Sequence, residues 1–204
     1  MKSDTYYTIL SPSEGLYREK GSKFIALTYP LITEQEVKGI VDRLRKEHPG
    51  ACHFCYAYRI GADGNVFRAN DDGEPSGSAG KPILNQLLSF ELSDLLVVVV
   101  RYFGGTKLGV SGLINAYKEA AKSALAIAQV GEKIISNEIQ ISFSYSYQGE
   151  VEKLIKEFES VIVEKSFDDR GAFRVQVPKS RTMGFLEKIS TLSHLDVQVE
   201  KTTK

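Results

Sequence analysis

Six consecutive apolar residues, Leu95–Val100, run straight into Arg101-Tyr-Phe-Gly-Gly105. A strand without polar alternation needs cover on both faces, so this segment reads as the centre of a sheet. It is also the longest apolar run, and it falls well short of the roughly 18 residues that span a bilayer. No membrane partner is expected.

The flanking sequence supplies the cover. Tyr6–Leu10 and Lys23–Leu31 read as strands. Thr33 and Glu36 have capping-box spacing, and Val37, Ile40, Val41 and Leu44 then form one apolar helix face, ended by His48-Pro49-Gly50. Ala51–Ile60 and Val66–Ala69 read as strands joined by Gly61-Ala-Asp-Gly64. A Gly-rich loop, Asp71–Gly80, opens a helix with Ile83, Leu84, Leu87 and Leu88 inward. A second, Gly104–Gly112, opens an Ala-rich helix that ends near Ala128, with Leu113, Ile114, Tyr117, Ala121, Ala124 and Leu125 inward. Gly131–Asn137 reads as a connector.

Beyond the connector the pattern restarts. Ile139, Ile141, Phe143, Tyr145 and Tyr147 alternate with polar residues, as in a half-buried strand. A helix with Val151, Leu154, Ile155 and Phe158 on one face follows. Val161–Phe167 and Ala172–Val177 form a hairpin around Asp168–Gly171. A helix carrying Met183, Phe185, Leu186, Ile189 and Leu192 and a strand Leu195–Val199 complete the order β-α-β-β-α-β, the ferredoxin-like plan. The expected class is α+β, with domains over 1–133 and 134–204.

Charge excludes one class of function. The chain has 26 Lys+Arg against 26 Asp+Glu, so it does not grip nucleic acid by bulk electrostatics, although a local basic patch stays open. Two Cys make no disulfide framework, and MKSDTYYTIL has no basic-then-apolar leader. A reducing cytoplasm is the expected compartment.

Cys52 and Cys55 have C-x-x-C spacing, but positions three apart on a strand face opposite sides. No second Cys pair completes a zinc site, so neither metal nor cofactor is expected. The simplest strand reading buries Cys52, Phe54, Tyr56, Tyr58 and Ile60. It leaves His53, Cys55, Ala57 and Arg59 on an open face.

The loop Asp71-Asp-Gly-Glu-Pro-Ser-Gly-Ser-Ala-Gly80-Lys81-Pro82 carries the densest chemistry. Free amides at a helix start attract anions, with Ser78, Gly80 and Lys81 as candidates. Asp71, Asp72 and Glu74 could instead hold Mg²⁺, or simply cap a tight turn. It is not a P-loop, because Pro75 stands where Gly is required and Pro82 replaces the Ser/Thr. In the second loop Val110 replaces the P-loop Lys, and no G-x-G-x-x-G occurs. Arg101 and Lys107 could bind phosphate there. The alternative pairs Arg101 with Asp71, Asp72 or Glu74, since a buried Arg needs a carboxylate. His48 and His194 sit near helix ends and imply nothing further, and the serines lack a nucleophile elbow. In the second half Phe143, Tyr145, Phe167 and Phe173 fall in the inward register, so the outer sheet face carries no base-stacking platform.

Three stretches carry a resemblance. Asp71–Gly80, Val98-Val-Val-Arg-Tyr-Phe-Gly-Gly-Thr-Lys-Leu-Gly109 and Ala51-Cys-His-Phe-Cys-Tyr-Ala57 stand in the order seen in the Impact/YigZ family. The second half resembles the extra domain of the bacterial YigZ-type members. The resemblance implies a two-layer α/β N-terminal domain, like domain IV of elongation factor G, and a C-terminal part like its domain V. It also implies contact with the ribosome, structured RNA or a translation-associated protein. Eukaryotic members restrain activation of a kinase that acts on a translation initiation factor, and bacteria lack that pathway. The family carries over surface candidates rather than catalytic residues: His53, Asp71, Asp72, Glu74, Ser78, Arg101 and Lys107.

The expected function is therefore a non-enzymatic translation- or stress-related regulator. It would contact its partner through His53, Arg59, Ser78, Gly80, Lys81, Arg101 and Lys107. Two alternatives stand beside it: a Mg-dependent enzyme acting on a phosphorylated small molecule through Asp71, Asp72 and Glu74, and a purely protein-binding adaptor.

Overall fold

The computed structural model describes residues 4–191 and 198–202. His194, Leu192 and the expected strand start at Leu195 lie outside the described residues. Two compact units divide the chain: Tyr6–Lys133, and Ile134 onward together with the segment through Thr5.

The first unit contains β1 (Thr5–Ile9), β2 (Ser13–Glu19), β3 (Ser22–Pro30), α1 (Gln35–Glu47), β4 (His53–Ile60), β5 (Val66–Asn70), α2 (Gly80–Ser89), β6 (Leu95–Tyr102), α3 (Gly109–Ala126) and β7 (Val130–Ile134). Its main sheet has the order β2-β3-β6-β4-β5, every neighbouring pair antiparallel. The apolar run of β6 sits at the centre, as its lack of polar positions requires.

Both faces of β6 are covered. Leu95, Val97 and Val99 join a core with Ile83 and Leu87 of α2 and Leu113, Tyr117 and Ala121 of α3. Leu96, Val98 and Val100 join another with Val37, Val41 and Leu44 of α1. The two layers expected from the resemblance are thus three, because α1 closes the opposite face. The same cover corrects the reading of β4. Cys55 and Ala57 are buried beneath α2 and α3, while Cys52 is solvent-exposed.

Strand β2 has no counterpart in the sequence reading, since Ser-Pro-Ser-Glu-Gly looks like a turn. Gly15 explains its place. A Cβ there would lie 2.2 Å from Ser123 Oγ and 2.3 Å from the Ala124 backbone nitrogen of α3. Gly15→Ala is expected to destabilise the fold by about 1–3 kcal/mol in a denaturant melt, as overpacking does. The expected connector is likewise a strand: β7 pairs with β1 in a two-stranded sheet. At α1 the capping box is half formed. Glu36 accepts the Thr33 amide at 2.9 Å, but the Thr33 hydroxyl also goes to Glu36 rather than to a helix amide.

The second unit holds β8 (Ser136–Phe143), α4 (Gln148–Glu157), β9 (Val161–Phe167), β10 (Gly171–Pro178), α5 (Thr182–Thr191) and β11 (Gln198–Thr202). Its sheet order is β11-β8-β10-β9, and the pairs are antiparallel. Ile139, Ile141, Phe143, Phe173 and Val175 pack against Val151, Leu154, Ile155, Phe185 and Ile189. Tyr145 and Phe167, expected inward, are 47% and 50% exposed and stack on each other. The edge position of β9 leaves Phe167 with strand neighbours on one side only.

Candidate functional site

The start of β4 and the end of β6 lie side by side, with His53 directly opposite Arg101 and Phe24 of β3 on Arg101's other flank. The loop between β5 and α2 folds over this corner and anchors itself with its own carboxylates.

Asp71 accepts backbone N–H groups from Gly77 at 2.9 Å, Ala79 at 3.0 Å and Gly80 at 2.8 Å. It thereby caps the first turn of α2, whose N-cap residue, Ala79, supplies no side-chain cap of its own. Burial alone would raise its carboxyl, but the three amide bonds outweigh that and hold it below the usual value. Asp72 accepts the Phe54 amide at 2.7 Å and an Arg45 bond at 2.6 Å. Its carbonyl lies 2.8 Å from His53 Nδ1.

Glu74 is deeper than Asp72, its side chain 4% exposed against 23%. One oxygen accepts Arg101 Nη1 at 2.6 Å and the Tyr117 hydroxyl at 2.7 Å, and His53 Nε2 stands 3.9 Å away. Arg101 is 6% exposed, and its guanidinium also lies over the Phe24 and Phe103 rings, 5.4 and 5.7 Å from their centroids. Cys55 Sγ donates to the Asp71 carbonyl at 3.0 Å and lies 3.3 Å from the Tyr117 hydroxyl. Burial pushes both the thiol and the phenol up, so both stay protonated at neutral pH.

This geometry corrects several expected site residues. Arg101 is buried and neutralised by Glu74, the carboxylate pairing that a buried Arg demands. Ser78 is fully buried, and its hydroxyl donates to the Pro75 carbonyl. The Gly80 amide is taken by Asp71, so the start of α2 is not free to receive an anion. Arg59 donates to the Leu92 carbonyl. It sits six residues along β4 from His53, about 20 Å at strand spacing, so the two lie on one side of the strand but too far apart to form one site. His53, with a side chain 25% exposed, and the exposed Lys81 and Lys107 remain at or near the surface.

The two Gly-rich loops still share a rim, because Glu74 of the first bonds Arg101 at the root of the second and Tyr117 of α3. The second loop presents Phe103, Lys107 and Val110 to solvent. Gly105 and Gly109 turn it through positive φ. Two site residues escaped the sequence reading. Arg45 lies on a helix whose spacing says nothing of Asp72. Tyr117 read as a core aromatic, although a buried phenol always needs a hydroxyl partner.

Residues 20–125 match the family described as the Impact N-terminal domain, a span that takes in both loops, His53, Arg101 and Tyr117. The chain belongs to the Impact family. Over 93% of its length it is 34% identical to the IMPACT family member YvyE of Bacillus subtilis (strain 168), covering 88% of that protein. It is 32% identical to YigZ of Escherichia coli (strain K12), over 88% of this chain and 89% of that one. A crystal structure described as that of a hypothetical protein superposes with a TM-score of 0.73, at 29% identity and 98% coverage of both chains. In this Impact-family chain no helix among the described residues is long and apolar enough to cross a membrane.

Proposed function

We propose that this Impact-family protein is a non-enzymatic, translation- or stress-related regulator that works by docking. The surface used is the rim formed by Phe103, Lys107 and Val110 with His53 beside it. The partner class is the one that the family resemblance implies: the ribosome, structured RNA of it, or a protein associated with it. An Impact-type domain over 1–133 and a ferredoxin-like domain over 134–204 would present that surface in the cytoplasm. The sheet order of the second unit, with its fourth strand beside the first and the third between first and second, supports the ferredoxin-like reading.

One observation carries this reading over an enzymatic one. All three loop carboxylates bind groups of the protein itself, namely four amides, two arginines and a tyrosine among them. Side chains held this way brace a surface. They are poorly placed to take Mg²⁺, which needs the same oxygens. Loss of Arg101, Ser78 and Gly80 as anion ligands also shifts the balance from RNA phosphate toward a protein partner.

Co-sedimentation with ribosomes from lysate tests the proposal. Association is expected to fall with Phe103→Ala and Lys107→Glu, and to weaken only slightly with added salt, since few cations take part. Persistence after nuclease treatment would assign the contact to protein. Sedimentation unchanged by both substitutions would sink the rim as the docking surface.

A further inference from the structure

Strands β2 and β3 meet in a tight turn at Lys20 and Gly21, both at positive φ. Register places Arg18 of β2 directly opposite Lys23 of β3, and Lys23 opposite Tyr102 of β6. These side chains share the α1 side of the sheet, since Ile25, Val100 and Tyr102 belong to the core that α1 closes.

Two like charges directly opposite on one face repel and weaken a strand pair. A carboxylate between them would remove that cost. Among the described residues, no side-chain hydrogen bond or ion pair engages Arg18, Lys20 or Lys23. Lys23 Nζ lies 5.8 Å from the centroid of the Tyr102 ring. Glu19 falls on the opposite face, where the Tyr17 hydroxyl donates to it at 3.1 Å. Glu47 of α1 pairs with Arg43 at 3.7 Å. Glu14 shares the face of Arg18 but stands four residues along β2, about 13 Å at strand spacing and beyond a Debye length. Counting Glu19 still leaves three cations to one anion at the turn. A cost kept without compensation inside the chain points to a compensating anion outside it.

The turn is continuous with the rim. A Cβ on Gly21 would lie 2.8 Å from the Gly104 carbonyl oxygen, and the Gly104 amide donates to Ser22 Oγ at 3.1 Å.

We propose that this hairpin turn receives an acidic segment of a protein partner, with carboxylates set between Arg18 and Lys23 and beside Lys20. The proposal rests on the docking reading for the partner being a protein, and on the opposed cations for its charge. Leu16, 44% exposed, lies two residues from Arg18 on the same face, so apolar side chains of the segment cover it. The same surroundings disfavour RNA. The Tyr102 ring is engaged by Lys23, and its hydroxyl lies 2.8 Å from His48 Nδ1, which leaves it a poor stacking platform for a base.

The probe is a fluorescent, end-capped nonapeptide repeating Glu, Glu and Leu, titrated into the whole chain at low salt. Saturable binding is expected, weakened about tenfold by Arg18→Glu and likewise by Lys23→Glu, as for loss of a charge-assisted contact. Lys153→Glu, in α4, should leave it unchanged. Melting supplies a readout that unfolding cannot imitate. Replacing Arg18 removes the repulsion, so Arg18→Glu should raise the melting temperature by about 1–3 °C while it weakens binding. Ribosome co-sedimentation tests the rim and this titration tests the turn, so each can fail alone. No saturable binding, equal binding of a nonapeptide with Lys in place of Glu, indifference to both substitutions, an unchanged or lower melting temperature for Arg18→Glu, or tighter binding of a nine-nucleotide RNA at the same salt would each overturn the proposal.

Discussion

Replacing Glu74 with Leu is expected to destabilise the protein by about 3–5 kcal/mol, the range for stripping a partner from a buried charge. The carboxylate neutralises Arg101 and also takes the Tyr117 hydroxyl. Without it, a guanidinium with 6% exposure and a phenol deep in the core both lose their acceptor. Arg101 has little to fall back on, since its buried Nε has no hydrogen-bond partner among the described residues. The diagnostic result lies in the combination. Glu74→Leu with Arg101→Met and Tyr117→Phe removes every member of the cluster and should recover most of the loss, because apolar replacements of similar volume match a buried ion pair. Urea melts of the single, double and triple variants measure this. Additive losses across the series would show that the three groups do not act as a unit.

Asp71→Ala should lower stability by about 2–4 kcal/mol, more than a common helix cap, because three amides lose one acceptor together. The pH dependence supplies a second readout. The folded carboxyl lies below its ordinary value. Its contribution is therefore complete above the ordinary carboxylate pKa and disappears as pH falls through the folded one. Wild-type stability should drop as pH passes below about 4, and the variant should show a shallower drop. Glu36 is also held low by the Thr33 hydroxyl and amide, so some acid sensitivity will remain. An acid limb identical in both proteins would show that Asp71 is not the loop's anchor.

Much of the architecture can be read from the residues alone. The apolar run Leu95–Val100 demanded a central strand and received one, because backbone pleating exposes each face to whatever covers it. The alternation from Ile139 to Phe143 and the apolar face of α4 follow from side-chain period in the same way. The Impact motifs identified the family because they are long and ordered. The order of the strands, the cover by α1 on the second face, and strands β2 and β7 were not legible. Each depends on a partner distant in sequence: Gly15 on the backbone of α3, and β7 on β1.

The site divides along the same line. Local chemistry identified the loop residues and the choice open to Arg101, a phosphate or a nearby carboxylate. Tertiary structure decided it, by setting Glu74 2.6 Å from Arg101 and bringing Tyr117 to the same oxygen. It also turned Asp71 onto the amides of α2, which removed the anion site that the sequence advertised. Sequence determines which groups carry charge and which helix starts offer amides. Only the folded chain determines whether those groups satisfy one another or are left facing a partner, because hydrogen bonds and ion pairs reach a few ångströms in space and take no notice of separation along the chain.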